Sequence, residues 1–192
     1  MPPSDKKTIT SLTGQLLIAM PQMPDPRFEK TVIYICAHNA DGAMGLVVNK
    51  LFDGISFTSL LHQLDIDISE PARELRVHFG GPVESGRGFV LHSADYNHDG
   101  SMAVSPDVVL TATVEILRAI AEGQGPKQAI LALGYAGWGP GQLDQEMQQN
   151  GWLHAPADDA ILFDADLDSK WERALARLGI NLSMLSADIG HA

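Results

Sequence analysis

Cysteine is almost absent from this sequence of 192 residues, which contains only Cys36. A single cysteine cannot form an intramolecular disulfide, so a disulfide-stabilised secreted domain is excluded. The first eight residues, Met-Pro-Pro-Ser-Asp-Lys-Lys-Thr, also lack the apolar segment of a secretory signal. We therefore expect a cytoplasmic protein in which Cys36, inside an apolar strand, is a protonated and unreactive thiol.

Long apolar runs and positive charge are both scarce. Apolar runs such as residues 32–37 and 129–133 fall far short of the roughly 18 residues that a membrane-spanning helix needs. The chain has 13 Lys and Arg residues against 24 Asp and Glu residues, which gives a formal net charge of −11. This charge repels the phosphate backbone of nucleic acids. The sequence thus predicts no membrane span and disfavours direct nucleic-acid binding.

The common catalytic and metal-binding motifs are missing as well. No H-E-x-x-H, C-x-x-C, G-x-S-x-G or phosphate-loop pattern occurs, and four histidines are scattered at predicted strand ends: His38, His78, His92 and His154. Residues 95–100 match the first half of a calcium loop, but Pro106 occupies the position that must supply the bidentate glutamate. We interpret this segment as an Asx-rich hairpin turn. The sequence therefore predicts no metal and no cofactor.

What the chain does contain is a succession of short β-strand patterns with fewer helical patterns between them. Strands are predicted at residues 14–19, 31–37, 43–49, 76–79, 86–92, 101–104 and 128–134, with short extended pieces at 152–153 and 161–163. Helices are predicted from Ser56, from about Thr113 to Glu122, after Pro140, and from Asp168 or Ser169. We therefore predict one α+β domain over residues 13–192, with a mixed, strongly bent sheet and helices packed on it. Residues 1–12 are predicted to form a flexible N-terminal segment.

The least ordinary stretch is residues 129–147, in which an apolar strand runs into closely spaced glycines around Trp138. The glycines are Gly134, Gly137, Gly139 and Gly141. We interpret them as a tight turn that leads into a helix with Pro140 in its first turn.

A glycine turn before a helix can bind a phosphate or carboxylate through free N–H groups. This stretch has no Lys or Arg between Tyr135 and Gln149, and it places Asp144 and Glu146 near the positive end of the helix dipole. We therefore favour a packing role for the glycines and keep a small-ligand or peptide pocket as the alternative. The two interpretations differ in whether Trp138 has a free face.

Three groups of segments together resemble the YqgE/AlgH family of bacterial proteins, along the chain from Gly14 to about Leu182. They are residues 15–25 with 42–49, residues 80–83 with 88–92, and residues 134–146. The resemblance implies a compact α+β fold in which a bifurcated sheet closes into a pseudo-barrel. It implies no catalytic residues and no cofactor; some members carry the label of transcriptional regulators, and their genes often neighbour one for a Holliday-junction-resolvase-like nuclease. Lys50-Leu51 stands where the family usually has Arg-Pro.

We expect a non-enzymatic cytoplasmic protein with a regulatory or binding role, which acts through a protein partner or a small ligand and affects transcription indirectly. The candidate pocket comprises nine residues: Gly134, Gly137, Trp138, Gly139, Gly141, Gln142, Asp25, Asn49 and His92. The alternative is a small-molecule hydrolase or transferase with a polar cleft near Asp25, Glu84 and His92. The oligomeric state is left open.

Overall fold

The computed structural model describes residues 11–23, 25–66, 75–149 and 151–180. These residues form nine strands: β1 Gln15–Ala19, β2 Val32–Asn39, β3 Gly42–Val47, β4 Val77–Phe79, β5 Val83–Ser93, β6 Ser101–Ala103, β7 Val108–Thr111, β8 Ala129–Trp138 and β9 Trp152–Pro156. They also form five α-helices: α1 Phe57–Gln63, α2 Val114–Ala121, α3 Gln142–Gln148, α4 Asp159–Leu162 and α5 Lys170–Arg177. A 3₁₀ helix spans Pro26–Phe28.

The strands form one mixed sheet that branches at β8. The strand order is β6-β7-β5-β8-β3-β2-β1-β9, and β4 pairs with β8 outside this path. The β4–β8 pair is parallel, whereas the other pairs are antiparallel. The first part of β8 pairs with β4 and β5, and its last three residues pair with β3. The predicted α+β class is therefore confirmed, with a strongly curled half-barrel sheet.

Gly134 allows β8 to continue where the sequence predicted a turn. Gly134 has a φ of +76°, and a Cβ atom there would overlap the carbonyl oxygen of Gly81. Before this kink Ile130 and Ala132 share one face of the strand; after it Tyr135 lies on that same face, three residues beyond Ala132. The predicted turn after Gly134 is thus wrong, because the left-handed glycine bends the strand and shifts its alternation without ending it.

Three apolar clusters hold the sheet and the helices together. The largest joins β1, β2, β5, β7 and β8 to α4 and α5. A second packs α1 and α2 against β4, β5 and β8, and a third packs α3 against β1, β2, β3 and the end of β8. Cys36 is buried in the first cluster, and burial raises the pKa of its thiol to about 12. The prediction of a protonated core thiol is confirmed.

The helices follow their predicted starts with two exceptions. Ser56 caps α1 as predicted, since its side chain accepts the Ser59 N–H and the Ser59 hydroxyl side chain accepts the Ser56 N–H. Residues 161–163, predicted as extended, instead fall largely in α4, because the Asp158 carboxylate caps that helix. Pro140 precedes the N-cap Gly141 of α3 and does not lie in the first turn.

Two further predictions concern the flexible N-terminal segment and the lack of a membrane span. The predicted flexible segment lies outside the described residues except for Ser11 and Leu12, and Leu12 is buried with its N–H donated to His38 Nδ1 at 3.0 Å. None of the α-helices in the described ranges has the length and apolarity needed to cross a membrane.

Candidate functional site

An open cleft lies beside β8 and is lined by strands from both sides of it in the sheet. Its volume is about 710 Å³, within the usual range of small-molecule sites. The β2–β3 hairpin forms one wall, β5, β6 and β7 form the other, and β8 lies between them. The lining residues are Ala37, Asn39, Asp41, Gly42, Ala43, Met44, Val83, Arg87, Phe89, Gly100, Met102, Leu110, Ala112, Tyr135, Gly137 and Trp138.

The floor and rim of the cleft are mainly apolar. The rings of Phe89 and Tyr135 meet edge to face, with centroids 5.9 Å apart. On the rim, Val83 is 36% exposed and Met102 is 43% exposed, although burial of large apolar side chains stabilises a fold. These two are among only five large hydrophobic side chains that are exposed in the described part of the chain. The cleft therefore offers an unfilled apolar surface.

Few polar side chains line the cleft, and Arg87 is its cation. The Arg87 guanidinium carbon lies 5.1 Å from the centre of the Phe89 ring, in cation–π contact. Its Nη1 atom pairs with Glu84 Oε2 at 3.4 Å, and both side chains are more than half exposed. Asp41 lies in the β2–β3 turn, where its N–H donates to Asn39 Oδ1 at 2.8 Å. These groups can orient a ligand by hydrogen bonding.

The lining lacks the usual components of a hydrolytic site. All sixteen lining residues fall in the described ranges, and none of them is His, Cys, Ser, Thr or Lys. A nucleophile with an adjacent general base therefore cannot be assembled from these side chains in the way acyl-transfer enzymes use.

The structure divides the predicted glycine pocket into two parts. Gly137 is exposed at the cleft. Trp138 also borders the cleft, but it is only 7% exposed, and its indole packs in the third cluster, where it meets Trp152 edge to face at 6.3 Å. Gly134 is buried at the strand kink. The indole of Trp138 is therefore part of a core cluster, and the free face of this strand belongs to Gly137.

The remaining predicted glycines begin helix α3 and do not line the cleft. Gly139 donates its N–H to Gln142 Oε1 at 3.0 Å, which fixes the chain just before the helix. Gly141 is the N-cap with a left-handed φ of +72°. Their arrangement gives a physical reason for glycine at a helix start without a bound anion.

Asp25 and Asn49 organise loops near the start of β2. Asp25 accepts the Arg27 N–H at 3.0 Å and pairs with the Arg27 guanidinium, which lowers the pKa of the Asp25 carboxyl. Asn49 accepts the Val32 N–H at 3.0 Å and donates to the Lys30 carbonyl at 2.9 Å. Neither residue lines the cleft.

His92 belongs to a buried chain of hydrogen bonds. Its Nδ1 must donate to the Ser93 carbonyl at 2.8 Å, so Nε2 of the neutral ring accepts from the Thr111 hydroxyl at 2.7 Å. Thr111 in turn accepts from the Ser101 hydroxyl at 2.7 Å. Burial lowers the pKa of His92, which favours this neutral form. The side chain is fully buried and does not line the cleft.

The structure does not bring Glu84 and His92 together. Val83, next to Glu84, pairs with Tyr135, whereas His92 pairs with Ala129. These two partners are six positions apart on β8, which corresponds to about 20 Å along the strand. The predicted polar cleft near Asp25, Glu84 and His92 is therefore not formed as one site.

Several residues of the cleft were missed from the sequence. Arg87 and Phe89 are two residues apart on β5, so their side chains lie on the same face of the strand, and Met44 faces them from β3. Their period-two spacing was a usable signal, but only the curled sheet places the two strands opposite each other.

A buried acidic group beside the cleft-forming strand was also missed. Glu146 Oε2 and Trp152 Nε1 are both buried without a hydrogen-bond partner in the described structure. Burial raises the pKa of Glu146, and the nearby Trp152 indole N–H opposes that rise without reaching hydrogen-bonding geometry. Glu146 is a residue of α3 and does not line the cleft.

Comparisons with known proteins agree with this fold over nearly the whole chain. The solution structure of the AlgH protein from Pseudomonas aeruginosa matches with a TM-score of 0.78 and 44% identity, over 96% of this chain and 98% of that one. A UPF0301 protein of Rhodospirillum rubrum is 53% identical, with 94% of each chain covered, and one of Rhizobium rhizogenes is 55% identical over 94% of this chain and 93% of its own. The family model described as AlgH-like matches residues 16–183. This chain therefore belongs to the AlgH-like family.

Proposed function

We propose that this protein is a non-enzymatic binding protein with a regulatory role, which takes a small apolar ligand into the cleft over β8. The observation that carries the proposal is the unfilled apolar lining around Phe89, Tyr135 and Gly137. The absence of Ser, Thr, Cys, Lys and His from the sixteen lining residues, all of them described, supports binding over catalysis.

The charge of the chain supports an indirect effect on transcription. A net charge of −11 opposes contact with nucleic acid, so a protein partner that senses the occupied cleft would carry the effect. A single buried, protonated thiol suits the reducing cytoplasm, where we place this function.

Filling the cleft from within tests the proposal. Gly137 has no left-handed φ, and a Cβ atom there would first meet the Tyr135 ring at 3.4 Å, so Gly137→Leu should fold and project its side chain into the cleft. We expect this variant to bind the neutral apolar probe N-phenyl-1-naphthylamine about tenfold more weakly than the wild type, because the probe and the leucine compete for one volume. Fluorescence titration measures the affinity, and amide shifts of Tyr135 and Met44 locate the probe.

The matched control is Gly139→Leu. Gly139 is exposed and does not line the cleft, and a Cβ atom there would lie 3.8 Å from its nearest neighbour, Gln142 Oε1. This variant should bind the probe as the wild type does. Equal probe affinity in Gly137→Leu and the wild type would show that the cleft is not the binding site, and turnover of a metabolite by the pure protein that Gly137→Leu abolishes would replace the binding role with an enzymatic one.

A further inference from the structure

We infer that the ligand of this cleft is an amphipathic anion, with an aromatic or aliphatic body on the Phe89–Tyr135 floor and a carboxylate or sulfonate held by Arg87. The inference rests on the proposed function, since it names the chemical class of ligand for the same cleft.

The position of Arg87 next to the aromatic floor is the first argument. Its guanidinium stacks at 5.1 Å over Phe89, which itself contacts Tyr135. Phe89 is only 4% exposed, so the accessible apolar surface beside the guanidinium belongs mainly to Tyr135 and the rim, and a ligand body placed there brings its polar end to the guanidinium. Arginine stacked on an aromatic ring keeps its planar donor fork available, and this fork matches the two oxygens of a carboxylate or sulfonate.

The unused donors of Arg87 are the second argument. Only Nη1 has a partner in the described structure, Glu84 Oε2 at 3.4 Å, which is a long contact between exposed groups. Such exposed pairs stabilise a protein little and are easily exchanged. The edge formed by Nε and Nη2 lacks a hydrogen-bond partner among the residues that the structure describes, so it can bind an anion bidentately without breaking the pair with Glu84.

Three negative features could oppose an anionic ligand: Glu84, Asp41 and the net charge. The Glu84 carboxylate pairs with Arg87 Nη1 at 3.4 Å, but both side chains are more than half exposed, so solvent screens its repulsion of an anion at the edge formed by Nε and Nη2. Asp41 is an exposed residue of the turn at the end of the β2–β3 hairpin, so solvent screens its charge. The net charge of −11 acts over a distance, but salt screens exposed charges beyond about 8 Å at physiological ionic strength. Recognition at Arg87 is governed by contact with the guanidinium.

A pair of probes that differ by one anionic group tests the inference. 8-Anilino-1-naphthalenesulfonate is N-phenyl-1-naphthylamine with an added sulfonate, so the ratio of their dissociation constants isolates the contribution of the anion. We expect the wild type to bind the sulfonate about five- to tenfold more tightly than the neutral probe. In Arg87→Gln the ratio should fall to about one, because only the sulfonate probe loses a charge partner, whereas any loss of packing against the side chain affects both probes alike.

The control variant is Arg118→Gln, which removes an exposed cation from α2 outside the cleft and changes the net charge equally. It should keep the wild-type ratio of affinities. If both probes bind the wild type equally, and Gly137→Leu weakens both, the cleft binds ligands but the anionic class is wrong. If neither probe binds, or if Gly137→Leu weakens neither, the proposed function itself fails.

Discussion

Lys170 is a fully buried amine that no carboxylate contacts within ion-pair distance in the described structure. Its Nζ donates to the carbonyls of Val48, at 3.0 Å, and Leu162, at 2.9 Å, and thereby ties α5 to the end of β3 and to α4. Burial lowers the pKa of Lys170 to about 8, while the charge of Asp164 opposes the shift. The sequence pattern of α5 placed aromatic and aliphatic residues inward but gave no sign that a lysine would join them.

The depressed pKa of Lys170 predicts a stability change in alkali. Its folded pKa of about 8 lies below the ordinary 10.5, so the unfolded chain binds more protons between these values and the fold gains stability as pH rises through the window. Below pH 8 the buried charge costs about 3 kcal/mol, from the size of the shift. Relative to Lys170→Met, the wild type should therefore gain about 3 kcal/mol between pH 7 and 10.5.

Urea unfolding of the two proteins at pH 7, 9 and 10.5 measures this change. Burial also raises the pKa values of Tyr34 and Cys36 to about 12, which destabilises the fold in alkali, but both residues are present in both proteins and their effects cancel. Parallel stability curves for the wild type and Lys170→Met would show that Lys170 keeps its proton in the fold over the whole range.

At the scale of an element, β8 determines the architecture because one strand serves both branches of the sheet. Its start as an apolar strand could be predicted from residues 129–133, as could the cap of α1 and the inward face of α2. The continuation of β8 past Gly134 could not be predicted, because the sequence does not show whether a glycine ends a strand or adopts a left-handed conformation within it. The φ of +76° and the approach of the Gly81 carbonyl, 53 positions earlier in the chain, together explain why the residue has no side chain.

Gly134→Ala should therefore destabilise the fold strongly. The φ of +76° disfavours alanine, and the new methyl group would overlap the Gly81 carbonyl oxygen, which is backbone and cannot rotate away. We expect a loss of about 3 kcal/mol or more in the free energy of unfolding, from strain and overpacking together. Gly141→Ala is the matched control: its φ of +72° is nearly the same, but no atom lies within 4 Å, so it should lose only about 1 kcal/mol. Equal losses would mean that conformational strain alone requires Gly134.

At the scale of the whole molecule, the sequence indicated the fold class more completely than the site. Periodicity and capping are local, and they predicted most strands and helices. The cleft is not local: Met44, Arg87 and Tyr135 lie on three strands that meet only because the sheet curls and branches. The sequence pattern indicated Trp138 as a candidate pocket residue because it is an aromatic residue among glycines. Side chains alternate along β8, however, so its indole packs in the third cluster and Gly137 is exposed at the cleft. The site therefore depends on the kink of β8 at Gly134, which the sequence pattern did not predict.

The response of the whole molecule to acid follows from competition between its net charge and a buried histidine. Between pH 6.5 and the isoelectric point near 4.9 the negative charge declines, which reduces self-repulsion and favours the compact state. Burial, with the charge of Lys170 acting in the same direction, lowers the pKa of His78 from 6.5 to about 4. The unfolded chain therefore binds more protons in this window, and the stability that the neutral ring provides above pH 6.5 is lost as pH falls towards 4.

The full effect of the His78 shift is about 3 kcal/mol, larger than the screened interactions among dispersed surface charges are expected to contribute. We therefore expect the wild type to lose stability between pH 6.5 and 4.5 although its net charge approaches zero. His78→Asn removes the titrating ring, so its stability should decline less over the same interval, while the control His62→Asn, which changes an exposed histidine on α1, should follow the wild type. Urea midpoints at pH 7, 5.5 and 4.5 give the comparison. If His78→Asn declines as steeply as the wild type, acid sensitivity originates in other buried groups, with His92 the next to test because burial lowers its pKa too.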